Sequence, residues 1–179
     1  MTVLPIQISL PGELHAFLRP LRSDDAHAWS AYLSEPGVTE HTSWGDVGPT
    51  SLDTLISDYT DGKDALRWAI VDANDSLLGT VGLNNITREH GRAEIAYDLD
   101  PRHCGRGLAT AAARAVIDWA HMALGLQRVQ ATVLDSNLLS IAVLERVGMQ
   151  REGLMRQYRR VRGQGRDYWM YAAIHRGEN

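Results

Sequence analysis

The sequence predicts one domain of mixed α/β class, in which a single strand–helix–strand crossover interrupts an otherwise antiparallel sheet. Residues 66–99 form three stretches of alternating apolar and polar residues with short turns between them, which is typical of antiparallel hairpins. An alanine-rich segment of helical period follows a glycine-rich turn, and another strand follows that segment. The 179 residues suit one domain, since domains commonly hold about 100–200 residues. We therefore treat residues 1–179 as one domain with a core over about 15–175.

The first part of the chain predicts one strand and two helices. Residues 15–21 alternate and predict the first strand. Ser23 then caps a predicted helix whose first turn holds Asp24 and Asp25, where acids favour the helix dipole. Residues 38–51 have loop composition, and a second helix is expected to start near residue 51.

The remaining elements follow in regular order. Gly125 marks the end of the alanine-rich helix, because glycine readily takes the left-handed conformation of a helix end. A hairpin around a turn at residues 163–165 closes the chain. The predicted strands are 66–71, 77–86, 92–99, 129–134, 149–160 and 168–174, and the predicted helices are 108–124 and 138–147.

Composition excludes several classes of protein. The 18 Lys and Arg against 22 Asp and Glu give a net charge of −4, which disfavours general nucleic-acid binding, so no DNA partner is expected. The single cysteine, Cys104, excludes an intrachain disulfide, and the seven histidines lack metal-ligand spacing, so no metal is expected. No apolar run reaches the roughly 20 residues of a membrane span. We expect a cytoplasmic protein with no membrane partner.

Residues 100–109 predict an anion site. A strand ends, a turn with Gly105 and Gly107 follows, and a strong helix begins. The first N–H groups of a helix lack intrahelical partners and carry partial positive charge, so they attract anions. Glycines let an anion approach the backbone, and Arg102 and Arg106 add charge beside it. The expected ligand group is a phosphate or pyrophosphate.

Two common phosphate loops do not fit, and a plain structural interpretation stays open. A Walker A loop needs a Gly-Lys-Ser/Thr ending, which this turn lacks. A dinucleotide fingerprint needs a small residue where Thr110 stands, and it opens a parallel unit rather than following antiparallel hairpins. The alternative is a helix that simply starts at a glycine turn.

The segment Arg102-x-x-Gly105-x-Gly107-x-Ala109 resembles the Arg/Gln-x-x-Gly-x-Gly/Ala motif of the GNAT superfamily of acyl-CoA-dependent N-acyltransferases. Residues 93–99 are similar to the strand before that motif. Residues 135–140 and 144–149 resemble the Asn-x-x-Ser helix and next strand of the RimJ/RimL-like branch, the ribosomal-protein-alanine N-acetyltransferase type. The turn at 152–156 and the strand at 167–169 also fit. The resemblance spans residues 17–174, with one departure at Ala96, where the branch often has Gly.

The resemblance implies a fold and a co-substrate, acetyl-CoA. The fold is a mostly antiparallel seven-stranded sheet with flanking helices and a central splayed parallel pair, strands 92–99 and 129–134. The pantetheine arm is expected to add along the first of these strands, and Asn137 to hydrogen-bond the arm, unless Asn137 is only a helix cap. The arm is expected at Tyr97, Asp98 and Leu99, and the pyrophosphate at the amides of His103, Cys104, Gly105, Arg106, Gly107, Leu108 and Ala109.

The resemblance also implies a direct attack of an amine on a thioester, which needs a base and a proton donor. Glu94 is the expected base, acting through water, or else a surface carboxylate or the partner of a neighbouring arginine. Ser140 is the expected donor to the thiolate, or else a first-turn serine that bonds to the backbone. Tyr97 and Tyr158 are reserve donors. Cys104 has no obvious histidine partner and is not expected to be a nucleophile.

The acceptor is the least determined feature of the sequence. Trp44, in a loop that lies over the acceptor site in this family, forms either a substrate wall or plain packing. We expect a primary amine, preferably the α-amino group of a protein N-terminus or amino-acid-like acceptor. The alternatives are detoxification of an amine-bearing antibiotic, a polyamine or an aminoacyl nucleotide as acceptor, and a non-catalytic acyl-CoA sensor. A homodimer is expected by family analogy.

Overall fold

The computed structural model describes residues 6–8, 15–42, 44–61 and 64–175. Within them, eight strands and four α-helices form a layered α/β fold, with a short 3-10 helix at Pro101–His103. The strands are β1 (Ile6–Ile8), β2 (Ala16–Pro20), β3 (Leu66–Asp72), β4 (Leu77–Thr87), β5 (Arg92–Leu99), β6 (Arg128–Leu134), β7 (Gln150–Val161) and β8 (Gln164–Ile174). The helices are α1 (Asp25–Leu33), α2 (Pro49–Asp61), α3 (Leu108–Leu124) and α4 (Leu138–Arg146).

The strands form one sheet in the order β1-β2-β3-β4-β5-β6-β8-β7. Neighbouring strands are antiparallel except β5 and β6, which are parallel and joined by the crossover through α3. This arrangement confirms the predicted mixed fold with its seven strands and central parallel pair. The three-residue strand β1 extends the sheet at its β2 edge.

Helices cover both faces of the central strands of the sheet. On one face, α3 presents Ala112, Ala113, Val116 and Ala120, all fully buried, to the central strands, and α4 packs beside it. Alanines let the helix approach the sheet closely, which explains the alanine-rich sequence. On the other face, α1 and α2 bury a separate cluster that includes Trp29. The central strands therefore separate two cores.

The start of α1 differs from the prediction. Asp24 stands at the cap position but makes no side-chain cap bond. Asp25 is buried, accepts from the Arg22 amide at 2.8 Å, and pairs with Arg19 through two bonds of 2.8 Å. Its carboxylate therefore neutralises a buried arginine as well as lying near the helix end. The spacing of apolar residues in the sequence does not reveal such a partner.

Two boundaries and one bulge also differ. Helix α2 begins at Pro49 rather than near residue 51, because proline suits the first helical turn. Strand β8 begins at Gln164 rather than residue 168, because Arg162 and Gly163, with φ of 50° and 80°, form a tight two-residue turn. The pairing of β4 with β5 is regular at Ala96, and its irregularity lies between Asn84 and Thr87.

None of the helices in the described ranges is long and apolar enough to span a membrane.

Candidate active site

Strands β5 and β6 separate after three residue pairs. Pairing runs through Arg92–Arg128, Ala93–Val129 and Glu94–Gln130, and then stops. Beyond Glu94, β5 pairs only with β4 and β6 only with β8 in the described sheet. The facing edges of residues 95–99 and 131–134 thus leave backbone donors and acceptors for another extended chain. This gap is the predicted splayed pair.

The turn at the end of β5 has the geometry of an anion cradle. Gly105 and Gly107 both have φ of 79°, a left-handed conformation that favours glycine. A Cβ at either position would meet nothing within 4 Å, so the space in front of both is open. Gly107 caps α3 without a side chain, and Ala111 is the first residue of the helix whose amide reaches back, to the Gly107 carbonyl at 2.9 Å. The amides just before Ala111 are those a helix leaves for an anion.

The turn leaves fewer amides without a partner than the predicted set of residues 103–109. The His103 amide donates to the Asp100 carbonyl at 2.9 Å, and the Cys104 amide donates to the Pro101 carbonyl at 3.2 Å. Amides for an anion therefore begin at Gly105. The exposed Arg102 side chain bonds to the buried carboxylate of Asp100, and this bond lowers the pKa of Asp100. Its hydrogen-bonding capacity is partly used by the loop itself.

Two neighbouring cavities share part of their lining near the gap. The loop cavity, of about 280 Å³, is bounded by Leu99, Gly105, Leu108 and Ala109 on one side and by Leu139 of α4 on the other. The gap cavity, of about 430 Å³, is bounded by residues 95–98 and 131–134. The residues that line both are Thr42, Trp44, Tyr97, Asp98, Asn137 and Ser140. Of the predicted site residues, Arg102, His103 and Arg106 line neither cavity, and Cys104 and Gly107 line the loop cavity.

Asn137, Ser140 and Tyr97 form one polar group at the junction. Asn137 caps α4, since its side-chain oxygen accepts from the Ser140 amide at 3.1 Å. The Ser140 hydroxyl lies 2.9 Å from the Tyr97 hydroxyl, which also donates to the Ser140 carbonyl at 3.2 Å. Burial raises the pKa of Tyr97, and its bond to Ser140 lowers it only in part. Tyr97 therefore remains a protonated donor near neutral pH.

Glu94 is the last residue of β5 that pairs with β6, and it lines the gap cavity. Its Oε1 accepts from the Thr132 hydroxyl at 2.7 Å and lies 3.3 Å from Nη2 of Arg159 on β7. Its side chain is 13% exposed, so the carboxylate is no free surface group. Glu94 thus lies at the gap, as a base would, and it also contacts an arginine. The geometry is compatible with both roles, the base and the partner of a neighbouring arginine.

Asp98 and Trp44 belong to a buried network on the α1 side of the sheet. The Asp98 carboxylate accepts from Arg67, from Tyr32, from the Thr80 hydroxyl at 2.8 Å and from the Trp29 indole at 3.0 Å. Only the Asp98 backbone remains for the predicted contact with a cofactor arm. Trp44 packs edge-to-face on Trp29 at 5.6 Å and also lines both cavities, so it combines packing with a place in the wall.

Sequence reasoning missed Arg67 and Thr132 as site residues. Their roles depend on pairing between distant strands, which a local pattern does not show. One signal was available for Arg67, since β4 carries glycine at positions 79 and 82 in the middle of a strand. A Cβ at Gly82 would lie 2.4 Å from the Leu66 carbonyl oxygen and 3.1 Å from Cγ of Arg67. Glycine there marks where Arg67 crosses β4.

Cys104 and the histidines offer no competing chemistry. Burial and the charge of Asp100 raise the pKa of the Cys104 thiol, which disfavours the thiolate a nucleophile requires. Within the described residues, no three His, Cys, Asp or Glu side chains lie close enough together to hold a metal ion.

Comparison with known proteins gives a consistent result. The family described as Acetyltransferase (GNAT) domain matches residues 15–150. The chain is 36% identical to an uncharacterized N-acetyltransferase, p20, of Bacillus licheniformis, over 89% of this chain and 92% of that protein. It is 30% identical to spermidine N(1)-acetyltransferase of Escherichia coli, over 83% and 81%. The structure of Mycobacterium smegmatis RimJ in complex with CoA-disulfide superposes with a TM-score of 0.85 at 29% identity, covering 95% of this chain and 87% of that one.

Proposed function

The chain belongs to the GNAT acetyltransferase family, in its RimJ/RimL-like branch, and on that premise we propose that it transfers an acetyl group from acetyl-CoA to a primary amine. The observation that supports this function most directly is the gap between β5 and β6, which borders the gap cavity, and this cavity shares six lining residues with the loop cavity. A thioester held along β5 would lie where the two cavities meet. The preferred acceptor is an α-amino group, of a protein N-terminus or an amino-acid-like molecule.

The residues around the loop fit the chemical groups of coenzyme A. The open glycine turn at Gly105 and Gly107, with the free amides that follow, suits a diphosphate. The apolar side of the loop cavity, which includes Leu99, Leu139 and Val143, suits the uncharged pantetheine arm. The free edge of β5 offers this arm main-chain hydrogen bonds. Acetyl-CoA supplies an activated carbonyl carbon with a thiolate as leaving group.

In the reaction, the C–N bond forms as the C–S bond breaks, and two protons must move. The attacking nitrogen loses a proton, for which Glu94 is the acceptor, directly or through a water molecule in the gap cavity. Thr132 and Arg159 orient its carboxylate. An α-amine needs the least help from such a base, because its pKa of about 7.7–8.0 leaves a sizeable neutral fraction at pH 7.

The leaving sulfur gains a proton, for which Ser140 is the donor. Its hydroxyl lies at the junction of the cavities, and Tyr97 at 2.9 Å can replace the proton that Ser140 gives up. Asn137 holds the first turn of α4, and with it Ser140, at this place. Positioning by these residues and by the β5 edge lowers the barrier without a covalent enzyme intermediate.

A polyamine is the second candidate acceptor, favoured by the 30% identity to a spermidine acetyltransferase. A non-catalytic acyl-CoA sensor is disfavoured by the carboxylate and the hydroxyl pair that line the gap cavity, which a sensor does not need.

Release of free thiol from acetyl-CoA tests the proposal. The purified protein is incubated with acetyl-CoA and a panel of amines. The panel contains a peptide amide with N-terminal alanine, free alanine, simple alkylamines and spermidine. The released thiol is followed with a chromogenic disulfide. We expect amine-dependent thiol release and a mass increase of one acetyl group on the acceptor. Binding of acetyl-CoA with no turnover on any amine would identify a sensor instead.

A further inference from the structure

We propose that Arg67 is an acceptor-binding residue that recognises a carbonyl or carboxylate oxygen next to the acceptor amine. This inference rests on the proposed function, and it names the chemical class of the acceptor. It selects α-amino acids, their amides and peptide N-termini over polyamines.

Arg67 is a buried cation in the wall of the gap cavity. Its side chain is 3% exposed, and the residue lines the cavity. Burial lowers the pKa of its guanidinium, but the charge of Asp98, the neighbouring Tyr59 and Tyr32 and the hydrogen bond to Asp98 together more than offset this, so that the pKa is raised and Arg67 stays charged. A charged side chain so deeply buried is rare unless it is paired or functional.

The protein uses only part of the hydrogen-bonding capacity of Arg67. Its Nε donates to the Thr80 hydroxyl at 2.8 Å, and its Nη2 donates to Asp98. Its Nη1 has no hydrogen-bond partner among residues 15–42, 44–61 and 64–175. Because Arg67 lines the gap cavity, a ligand oxygen in that cavity can accept from this N–H group. An oxygen is the natural acceptor for a guanidinium N–H.

The aromatic surroundings of Arg67 disfavour a second cation at this place. The guanidinium carbon lies 5.1 Å from the ring centre of Trp29 and 5.7 Å from the ring centres of Trp44 and Tyr59. Such ring faces are the usual site for an ammonium ligand, and here Arg67 already occupies them. A polyamine that placed its further ammonium groups here would also meet a like charge.

The register of the sheet relates Arg67 to the expected base. Arg67 pairs with Gly82 of β4, and Gly82 pairs with Ala96 of β5. Ala96 lies two residues beyond Glu94 on the same face of β5, which is about 7 Å along the strand. The backbone of Arg67 lies two strand spacings, about 10 Å, from β5, and its side chain crosses β4 to reach Asp98 of β5. Arg67 and Glu94 therefore line the same gap cavity, which can receive the amine near Glu94 and the neighbouring oxygen near Arg67.

The test compares acceptors that differ only in that oxygen. Alaninamide and isopropylamine form one matched pair, and rates are corrected to the same concentration of neutral amine. We expect wild-type kcat/KM to be at least about tenfold higher for alaninamide, the factor of one hydrogen bond to a charged group. Arg67→Lys, and Arg67→Gln combined with Asp98→Asn to keep the site neutral, should lower the ratio of kcat/KM for alaninamide to kcat/KM for isopropylamine about tenfold or more.

Two further arms make the result specific. Free alanine and a peptide amide with N-terminal alanine distinguish a carboxylate from a peptide carbonyl as the group that Arg67 binds. The acceptor with the true ligand group should show the larger loss of kcat/KM in the Arg67 variants. Arg19→Gln is the matched control, since Arg19 is also a buried arginine paired with an aspartate but lines neither cavity. It should lose thermal stability with no change in the preference for alaninamide.

The outcomes separate the two proposals. The Arg67 proposal is wrong if alaninamide and isopropylamine have equal kcat/KM, or if kcat/KM is higher for spermidine than for alaninamide. It is also wrong if the Arg67 variants lose the same factor of kcat/KM on both members of the pair. In each of these cases the transferase proposal stands. If no amine releases thiol although acetyl-CoA binds, the transferase proposal itself fails.

Discussion

The two ends of α3 provide a test of the anion cradle that separates backbone strain from ligand contact. Gly107 begins the helix with φ of 79°, and Gly125 ends it with φ of 65°. Neither would bring a new Cβ within 4 Å of another atom, so replacement by alanine imposes the same kind of strain at both ends. Only Gly107 lines the loop cavity.

The left-handed conformation of both glycines sets the expected loss of stability, and the place of Gly107 in the loop cavity sets the expected loss of affinity. An L-residue in the left-handed conformation costs about 1–2 kcal/mol, so Gly107→Ala and Gly125→Ala should each lower the free energy of unfolding by this amount. For a chain of this size, each kcal/mol lowers Tm by about 2–4 °C. At Gly107 the Cβ also stands where an anion approaches, and losing one charge-assisted amide contact costs about 1.5–3 kcal/mol, or about 10- to 150-fold in Kd.

Urea unfolding and calorimetric titration with coenzyme A measure the two effects separately. We expect equal losses of stability, a Kd for coenzyme A near the wild-type value in Gly125→Ala, and a Kd raised at least tenfold in Gly107→Ala. If Gly107→Ala binds as the wild type does, or if Gly125→Ala weakens binding as much, the loop does not hold the diphosphate.

Three further predictions address catalysis and protonation. Glu94→Gln should lower kcat by about 10²–10⁴ and change the pH profile of kcat/KM while leaving the Kd for acetyl-CoA unaltered; unchanged kinetics would remove Glu94 from the mechanism. Because burial raises the pKa of Tyr97 and Tyr32 above 10.0, the folded state keeps protons that the unfolded chain releases. In urea unfolding, the free energy of unfolding should therefore be constant below pH 10 and fall above it by about 1.4 kcal/mol per pH unit for each such tyrosine, and Tyr97→Phe should remove the share of one tyrosine from this slope. Alkylation of Cys104, whose pKa is raised above 9.0, should be slow at pH 7, accelerate with pH, and be retarded by coenzyme A; equal rates with and without coenzyme A would place the ligand elsewhere.

Local pattern was sufficient for the four helices, for the glycine turn and for seven of the eight described strands, and it missed the three-residue strand β1. The alternation of residues 92–99 and the glycines at 105, 107 and 125 each depend on near neighbours in the chain, and the structure reproduces them. The errors at Pro49 and Gln164 are shifts of two and four residues at element ends, where turn geometry decides the boundary.

The polar contacts of the site were beyond local pattern because they join distant strands. Glu94 meets Arg159 of β7, 65 residues later, and Asp98 meets Arg67 of β3, 31 residues earlier. In the sequence, Asp98 lies beside the motif and is assigned to the cofactor through that position. In the structure, its carboxylate is committed to Arg67, Tyr32, Trp29 and Thr80, so that assignment rests on its backbone alone.

The alternation of β5 places the groups proposed for the two proton transfers on opposite faces of the sheet. Successive side chains of a strand point to opposite faces of the sheet, so Glu94 and Asp98 share one face while Tyr97 and Leu99 share the other. Tyr97 and Leu99 pack with α3 and α4, and Asp98 contacts Trp29 and Tyr32 of α1. Because β5 and β6 separate after Glu94, the gap opens the sheet between these faces. In the proposed reaction, an amine that enters from the α1 face would therefore meet the carboxylate, and a thiolate that leaves toward α4 would meet the hydroxyls.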